Sequence, residues 1–184
     1  MEPLIRRAQS EDFAGIRDLL ALNYVGNLSE DERKEGFLSI DLSEKELLEM
    51  ASNGITVVAV LGNQVGAFLS TQTCEYNRRL ALPAKMLEAL DENSQSWFEP
   101  DVTLVCGPVC VSKEFRGQGL LQQLYKEMAR EAAGHFTIGI SFVSGENPRS
   151  LRAHVSGLKM NIVCSFDFRG KSYEILFAPL SQYL

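Results

Sequence analysis

The chain has 184 residues, of which 45% are hydrophobic and 23% charged, and a formal net charge of −6. That length predicts one domain, at roughly 100–200 residues per domain, with enough buried surface to need no metal or disulfide staple. The acidic balance argues against nonspecific nucleic-acid binding, which needs many Lys and Arg against phosphates, and no apolar run approaches the roughly 20 residues of a membrane helix.

Met1 to Arg7 contains no apolar signal core, so a cytoplasmic protein with neither a membrane nor a nucleic-acid partner is expected. Leu4 to Ala8 predicts a first strand. Ser10 is placed as a helix N-cap ahead of Glu11 and Asp12, with Phe13, Ile16, Leu19 and Leu20 at helical spacing. Asn27 to Gly36 is polar and predicts a loop or short helix. Ser43 with Glu46 forms a capping-box pattern that opens another helix, closed by Asn53-Gly54. Ile55 to Leu61 and Val65 to Thr71 flank Gly62-Asn63 and predict a hairpin.

The interval from about Thr73 to Pro100 is expected as an insertion in the single domain 1–184. It carries Arg78, Arg79, a helical stretch Ala84 to Leu90, and a polar segment ending in Trp97-Phe98 that packs on itself. Val102 to Val111 predicts a strand with a bulge at Gly107-Pro108. Leu120, Leu121, Leu124, Met128 and Ala132 mark an amphipathic helix ended by Gly134. Phe136 to Val143 is the next strand. Pro148 opens a short helix to about Gly157. Met160 to Phe168 and Tyr173 to Phe177 flank Arg169-Gly170 as a terminal hairpin, whose outer edge suits a homodimer. This order predicts an α/β layer architecture around a mixed sheet. Cys74, Cys106, Cys110 and Cys164 form no C-x-x-C pair and no zinc-ligand spacing, so buried thiols and no metal site are expected.

The chemistry lies in Lys113-Glu114-Phe115-Arg116-Gly117-Gln118-Gly119, between a strand and a helix. Glycines there let the backbone approach a ligand, and the first helical amides have no internal acceptors. With the helix dipole behind them they form an anion site. G-x-x-x-x-G-K-[ST] is absent, and Gly117-x-Gly119 is followed by Gln122 rather than glycine, so neither a triphosphate loop nor a dinucleotide fingerprint fits.

The segment resembles the acetyl-CoA-binding pattern [Q/R]-x-x-G-x-[G/A] of the GNAT acetyltransferase superfamily, with Arg116 and Gly119 in register and Leu121 at the final small position. Asn147-Pro148-Arg149-Ser150-Leu151-Arg152-Ala153-His154 is similar to that superfamily's later N-x-x-[AS]-x-x-x-Y segment, with His154 where tyrosine is commonest. Glu35-Gly36-Phe37-Leu38 resembles a substrate-side loop of some members. The element order resembles the superfamily over nearly the whole chain.

The resemblance implies a GNAT-like α/β fold with a mostly antiparallel sheet, splayed between the fourth and fifth strands, and helices on both faces. It implies direct transfer of an acetyl group from acetyl-CoA, as co-substrate, to a primary amine of a small molecule or peptide. Val109, Cys110 and Val111 would run along the pantetheine arm, with an amide near Val109 facing the thioester oxygen. Arg116, Gly117, Gln118, Gly119, Leu120 and Leu121 would hold the pyrophosphate, and Asn147 and Ser150 would lie on the cofactor arm. His154 is the candidate proton donor to the thiolate. Glu75 and Asp101 are acids expected near the acceptor cleft, with Glu75 as candidate base. Three other readings stay open: a thiol acyl carrier at Cys110, a carboxylated donor met by Arg78 and Arg79, and a non-catalytic acyl-CoA sensor.

Overall fold

In the computed structural model, residues 2–93 and 96–184 are described. The β-branched runs pair as their alternation predicts. β2 (Gly54–Leu61) and β3 (Gln64–Thr73) form the hairpin around Gly62, which sits at φ +62°. β1 (Leu4–Arg7) pairs with β2, and β4 (Thr103–Val111) pairs with β3, all antiparallel. β5 (Ile138–Ser144) runs parallel to β4. The terminal hairpin of β6 (Asn161–Phe168) and β7 (Lys171–Pro179) joins through β7. The sheet order is β1-β2-β3-β4-β5-β7-β6.

Helix starts show where local chemistry governs. α3 (Glu44–Ser52) opens on the Ser43–Glu46 capping box, as the sequence predicts. The polar stretch after Asn27 contains α2 (Glu30–Arg33), with a second capping box, Ser29–Glu32. α1 (Asp12–Asn23) differs, because Ser10 does not cap it. The Asp12 carboxylate instead accepts the Gln9 N–H at 2.7 Å and pairs with Arg6. A buried carboxylate with a guanidinium partner offers more than an exposed hydroxyl.

Helices cover both faces of the sheet. α6 (Leu120–Ala132) places Leu124, Met128 and Ala132 against Val57, Leu69, Leu104 and Leu176. On the opposite face, α1 and α3 pack Phe13, Ile16, Leu20 and Leu47 against Val58 and Phe68. Thr73 to Pro100 continues this second layer. It contains α4 (Cys74–Asn77) and α5 (Ala81–Glu92), and Met86, Leu87 and Leu90 close over Val105, Ile140, Phe166 and Ile175. Trp97 meets Phe98 edge-on at 6.0 Å, but its nearer partner is Phe177 of β7 at 4.1 Å. The expected self-contained aromatic pair is thus docked on the sheet. Ser94 and Gln95 of the polar segment before it lie outside the described residues. Among the described residues, no helix is long and apolar enough to cross a membrane.

Leu87 has no exposed surface. Leu87→Ala is expected to cost about 2–5 kcal/mol of stability, the usual range for a core leucine. Urea unfolding checks it, and a loss below about 1 kcal/mol would mean that α5 does not share the sheet's core.

Candidate functional site

The site begins where two parallel strands separate. β4 and β5 pair over Thr103–Val105 and Ile138–Ile140. At the next residue Ser141 Oγ donates to the Cys106 carbonyl at 2.9 Å, a side chain standing where a ladder bond would otherwise continue. β4 then follows β3 while β5 follows β7. β4 also bulges: Leu69 faces Val109 but Thr71 faces Cys106, so β4 has one residue more than β3 across Gly107-Pro108. The extra residue resets the alternation. Cys106 and Val109 both join the α6 core, while Cys110 turns to the α1 side.

The fork opens a cavity of about 490 Å³. Eleven of the thirteen site residues expected from the sequence line it: Val109, Cys110, Val111, Arg116, Gly117, Gly119, Leu120, Leu121, Asn147, Ser150 and His154. Gln118 and Glu75 do not. The Gln118 side chain turns back to the Glu114 carbonyl at 3.4 Å.

Gly117 and Gly119 hold φ of +77° and +73°, the left-handed region where a side chain is strained. The turn delivers the chain into α6, whose first internal bond from this end runs from Gln123 N–H to the Gly119 carbonyl at 3.2 Å. The amides just ahead of it have no intrahelical acceptor and sit at the positive end of the helix dipole.

The Arg116 side chain is directed away from this turn. Its Nε donates to the Val111 carbonyl at 3.1 Å, Nη1 to the Glu35 carbonyl at 2.9 Å, and Nη2 to Asn23 Oδ1 at 3.3 Å. A guanidinium so committed is a staple for the segment Glu35–Leu38. The other wall contributes two more. Asn147, at the start of α7 (Pro148–Arg152), accepts the Ser150 N–H at 3.2 Å and donates to the Phe37 carbonyl at 2.9 Å. Arg149 forms an ion pair with Glu35. Gly36 lies between them at φ +91°, where an added Cβ would come to 3.6 Å from Arg149 Cδ. Glu35 to Leu38 therefore straps the cleft from wall to wall. The sequence flagged this segment by resemblance, but nothing in its spacing gave the three staples.

His154 is buried at 4% exposure in the π-helical turn Ala153–Gly157. Its Nδ1–H donates to the Ser150 carbonyl at 2.8 Å, which leaves Nε2 as an acceptor, buried and without a partner. Desolvation pushes the imidazole below its usual value, outweighing the Ser150 carbonyl that favours the charged form. His154 is therefore neutral at neutral pH, with its one N–H already used. In this state it has no proton to give to a thiolate.

The expected acids lie elsewhere. β3 is antiparallel to β4, so Thr73 at the end of β3 faces Leu104 near the start of β4, away from the fork's open end. Glu75 follows directly in α4, exposed and paired with Arg79 at 3.1 Å. Asp101 precedes β4 at that same closed end. The acid that lines the cleft is Glu35. Arg78 pairs with Asp91 at 3.0 Å. Burial pushes the Cys110 thiol up to about 12, which removes the thiolate an acyl carrier needs.

Lowering His154's folded pKa has a definite sign. The unfolded chain takes up a proton near 6.5 that the folded chain refuses, so stability is lost as pH falls below that value. Thermal unfolding from about pH 7.5 to about pH 5 should show wild type losing more stability than His154→Gln. Parallel curves would contradict the burial argument.

No family model matches the chain. No curated protein matches it either. Solved structures do. The acetyltransferase of the GNAT family from Streptococcus pneumoniae matches with TM-score 0.63 and 16% identity, over 97% of this chain and 99% of that one. A GNAT superfamily phosphinothricin acetyltransferase from Sinorhizobium meliloti, solved with acetyl-CoA, matches with TM-score 0.62 and 16% identity, over 97% and 89%. The NatC complex bound to Gag peptide and CoA contains a chain matching with TM-score 0.64 and 14% identity, over 97% and 99%. At such identities the likeness is one of architecture, and the seven-stranded sheet parting between β4 and β5 under helices on both faces is the GNAT acetyltransferase fold.

Proposed function

We propose that the protein is an N-acetyltransferase that moves the acetyl group of acetyl-CoA directly to a primary amine of a small molecule or peptide. The observation that carries this reading is the parting of β4 and β5 onto the glycine turn. A slot with main-chain groups along one wall ends at a cluster of free helix-start amides. A thioester on a long arm ending in a diphosphate fits that shape and that polarity.

Acetyl-CoA supplies an activated acetyl group. The residues supply position and charge. Gly117 to Leu121 hold the diphosphate by main-chain N–H groups. Val109, Cys110 and Val111 wall the arm. A main-chain amide near Val109 faces the carbonyl oxygen as negative charge develops there, an effect worth several kcal/mol when preorganised. The amine nitrogen bonds to the carbonyl carbon, the carbon–sulfur bond breaks, and the proton shed by nitrogen ends on sulfur. In this reading His154 Nε2 takes that proton from nitrogen and then releases it to the departing sulfur, because its Nδ1–H is engaged by Ser150. Glu75 has no part in it, and acceptor choice falls to the strap Glu35–Leu38.

A second reading, an acyl-CoA sensor without chemistry, draws on one observation: at the position where tyrosine is commonest in GNAT proteins stands a buried imidazole with no proton to donate.

Incubation with acetyl-CoA and a panel of amines, followed by measurement of free CoA, should show turnover on at least one amine class. Tight CoA binding with no turnover on any amine, unchanged in His154→Gln, would select the sensor. Gly119→Val forces a β-branched residue into the left-handed region. The strain of about 1–3 kcal/mol should weaken CoA binding about tenfold or more. Calorimetry showing undiminished affinity would remove the turn from the binding site.

A further inference from the structure

The face of α6 that starts at the anion turn does not end at the cleft. Gln122, in the first turn of the helix, lines both the main cleft and a second cavity of about 520 Å³. Lys126, one turn further on, stands in one wall of this second cavity, and Lys159 stands in the other, just past the π-helical turn. Gln182 Nε2 and Tyr183 Oη both donate to the Leu158 carbonyl, at 2.9 and 3.2 Å, and fix that second wall beside Lys159. The walls come close where a Cβ on Gly157 would lie 3.5 Å from Gln122 Nε2.

Two features set this cavity apart from ordinary surface. The chain carries a net charge of −6 and many of its cations are paired, yet among the described residues neither the Lys126 nor the Lys159 side chain has an ion pair or hydrogen bond. Lys159 also holds φ +58°, a left-handed conformation that glycine adopts freely and lysine only at a cost. The end of the π-helical turn requires that conformation, closing around Lys159 through the Met160 N–H to the His154 carbonyl at 3.1 Å, so the backbone fixes where this side chain leaves the wall.

We propose that this cavity binds a phosphomonoester dianion through Lys126 and Lys159, and that the phosphate is the one on the ribose of the CoA whose diphosphate lies on Gly117 to Leu121. The inference rests on the acyl-CoA reading given above. The rise along α6 from Leu120 to Lys126 is about 9 Å at 1.5 Å per residue, so the ammonium groups stand beyond the diphosphate site on a continuous helix face. Gln122 joins the two sites. Two lysines are point charges suited to a phosphate dianion, and the cavity thereby separates ligands that end in a ribose phosphate from those that do not.

Calorimetry on the full chain tests it with CoA and 3′-dephospho-CoA as probes, against wild type, Lys126→Gln, Lys159→Gly and the double variant. Lys159→Gly removes the ammonium while keeping φ positive, and thermal unfolding confirms that each variant folds. Wild type should bind CoA about tenfold or more tightly than dephospho-CoA. Each single variant should narrow that ratio. The double variant should bring it within about twofold and leave dephospho-CoA affinity unchanged. Equal affinities in wild type, with inorganic phosphate bound by wild type and not by the double variant in ³¹P NMR, would assign the same cavity to a separate phosphorylated ligand. Equal affinities with no phosphate binding overturn the proposal, as does a ratio that the double variant leaves intact. If neither CoA form binds any variant, the acyl-CoA reading fails, and the phosphate arm alone decides the cavity.

Discussion

Two parallel strands that stop exchanging hydrogen bonds must find other partners for their main-chain groups or leave them to a ligand. β4 and β5 stop after Val105 and Ile140. β5 stays paired with β7 along its whole length, but only on its far edge, and Ser141 caps the Cys106 carbonyl at the point of parting. β4 is likewise paired only on its β3 side. From Val109 to Val111 its other edge borders the cavity, and the bulge at Gly107-Pro108 decides which side chains that edge presents. A ladder continued past Val105 would leave no slot for a ligand to enter.

The staples at the mouth follow from that opening. Strands that part leave their helices apart as well, so the walls need cross-links that a ligand can pass beneath. Arg116 and Arg149 approach Glu35 from opposite walls, and Asn147 fastens the Phe37 carbonyl. Arg116 belongs to the anion turn by its backbone and to the strap by its side chain. One residue thus joins the part of the cleft that would hold an acyl donor to the part that an amine would meet. Its guanidinium is mostly shielded, at 20% exposure, so these contacts are stronger than a surface ion pair.

Much of the fold was readable from sequence because it depends on local rules. The β2–β3 hairpin, the Ser43–Glu46 box, the bulge at Gly107-Pro108 and the glycine turn are each set by a few adjacent residues. The failures share a physical cause: they depend on partners that no spacing rule singles out. Ser10 lost the start of α1 to an Asp12–Arg6 pair. Trp97 packs on Phe177, which no periodicity links to it. Glu75 was expected near the acceptor cleft by its place after a strand, but the antiparallel pairing of β3 and β4 carries it to the opposite end of the sheet. Residue type named His154, while its tautomer depends on the Ser150 carbonyl, a relation visible only once the helix has formed.

Burial then limits what chemistry the cleft can perform. The desolvation that holds His154 neutral also raises Cys110 to about 12, because removing water penalises whichever form of a group is charged. Neither side chain is charged at neutral pH, so neither enters the reaction as an imidazolium acid or a thiolate nucleophile. What remains at the walls is an imidazole lone pair and a row of main-chain groups on β4. The proposed reaction asks for little else: a proton acceptor for an amine, and fixed N–H donors near a carbonyl oxygen. Main-chain donors keep their dipoles whatever the pH and however dry the site, so a cleft built from them can exclude water without losing its means of stabilising charge.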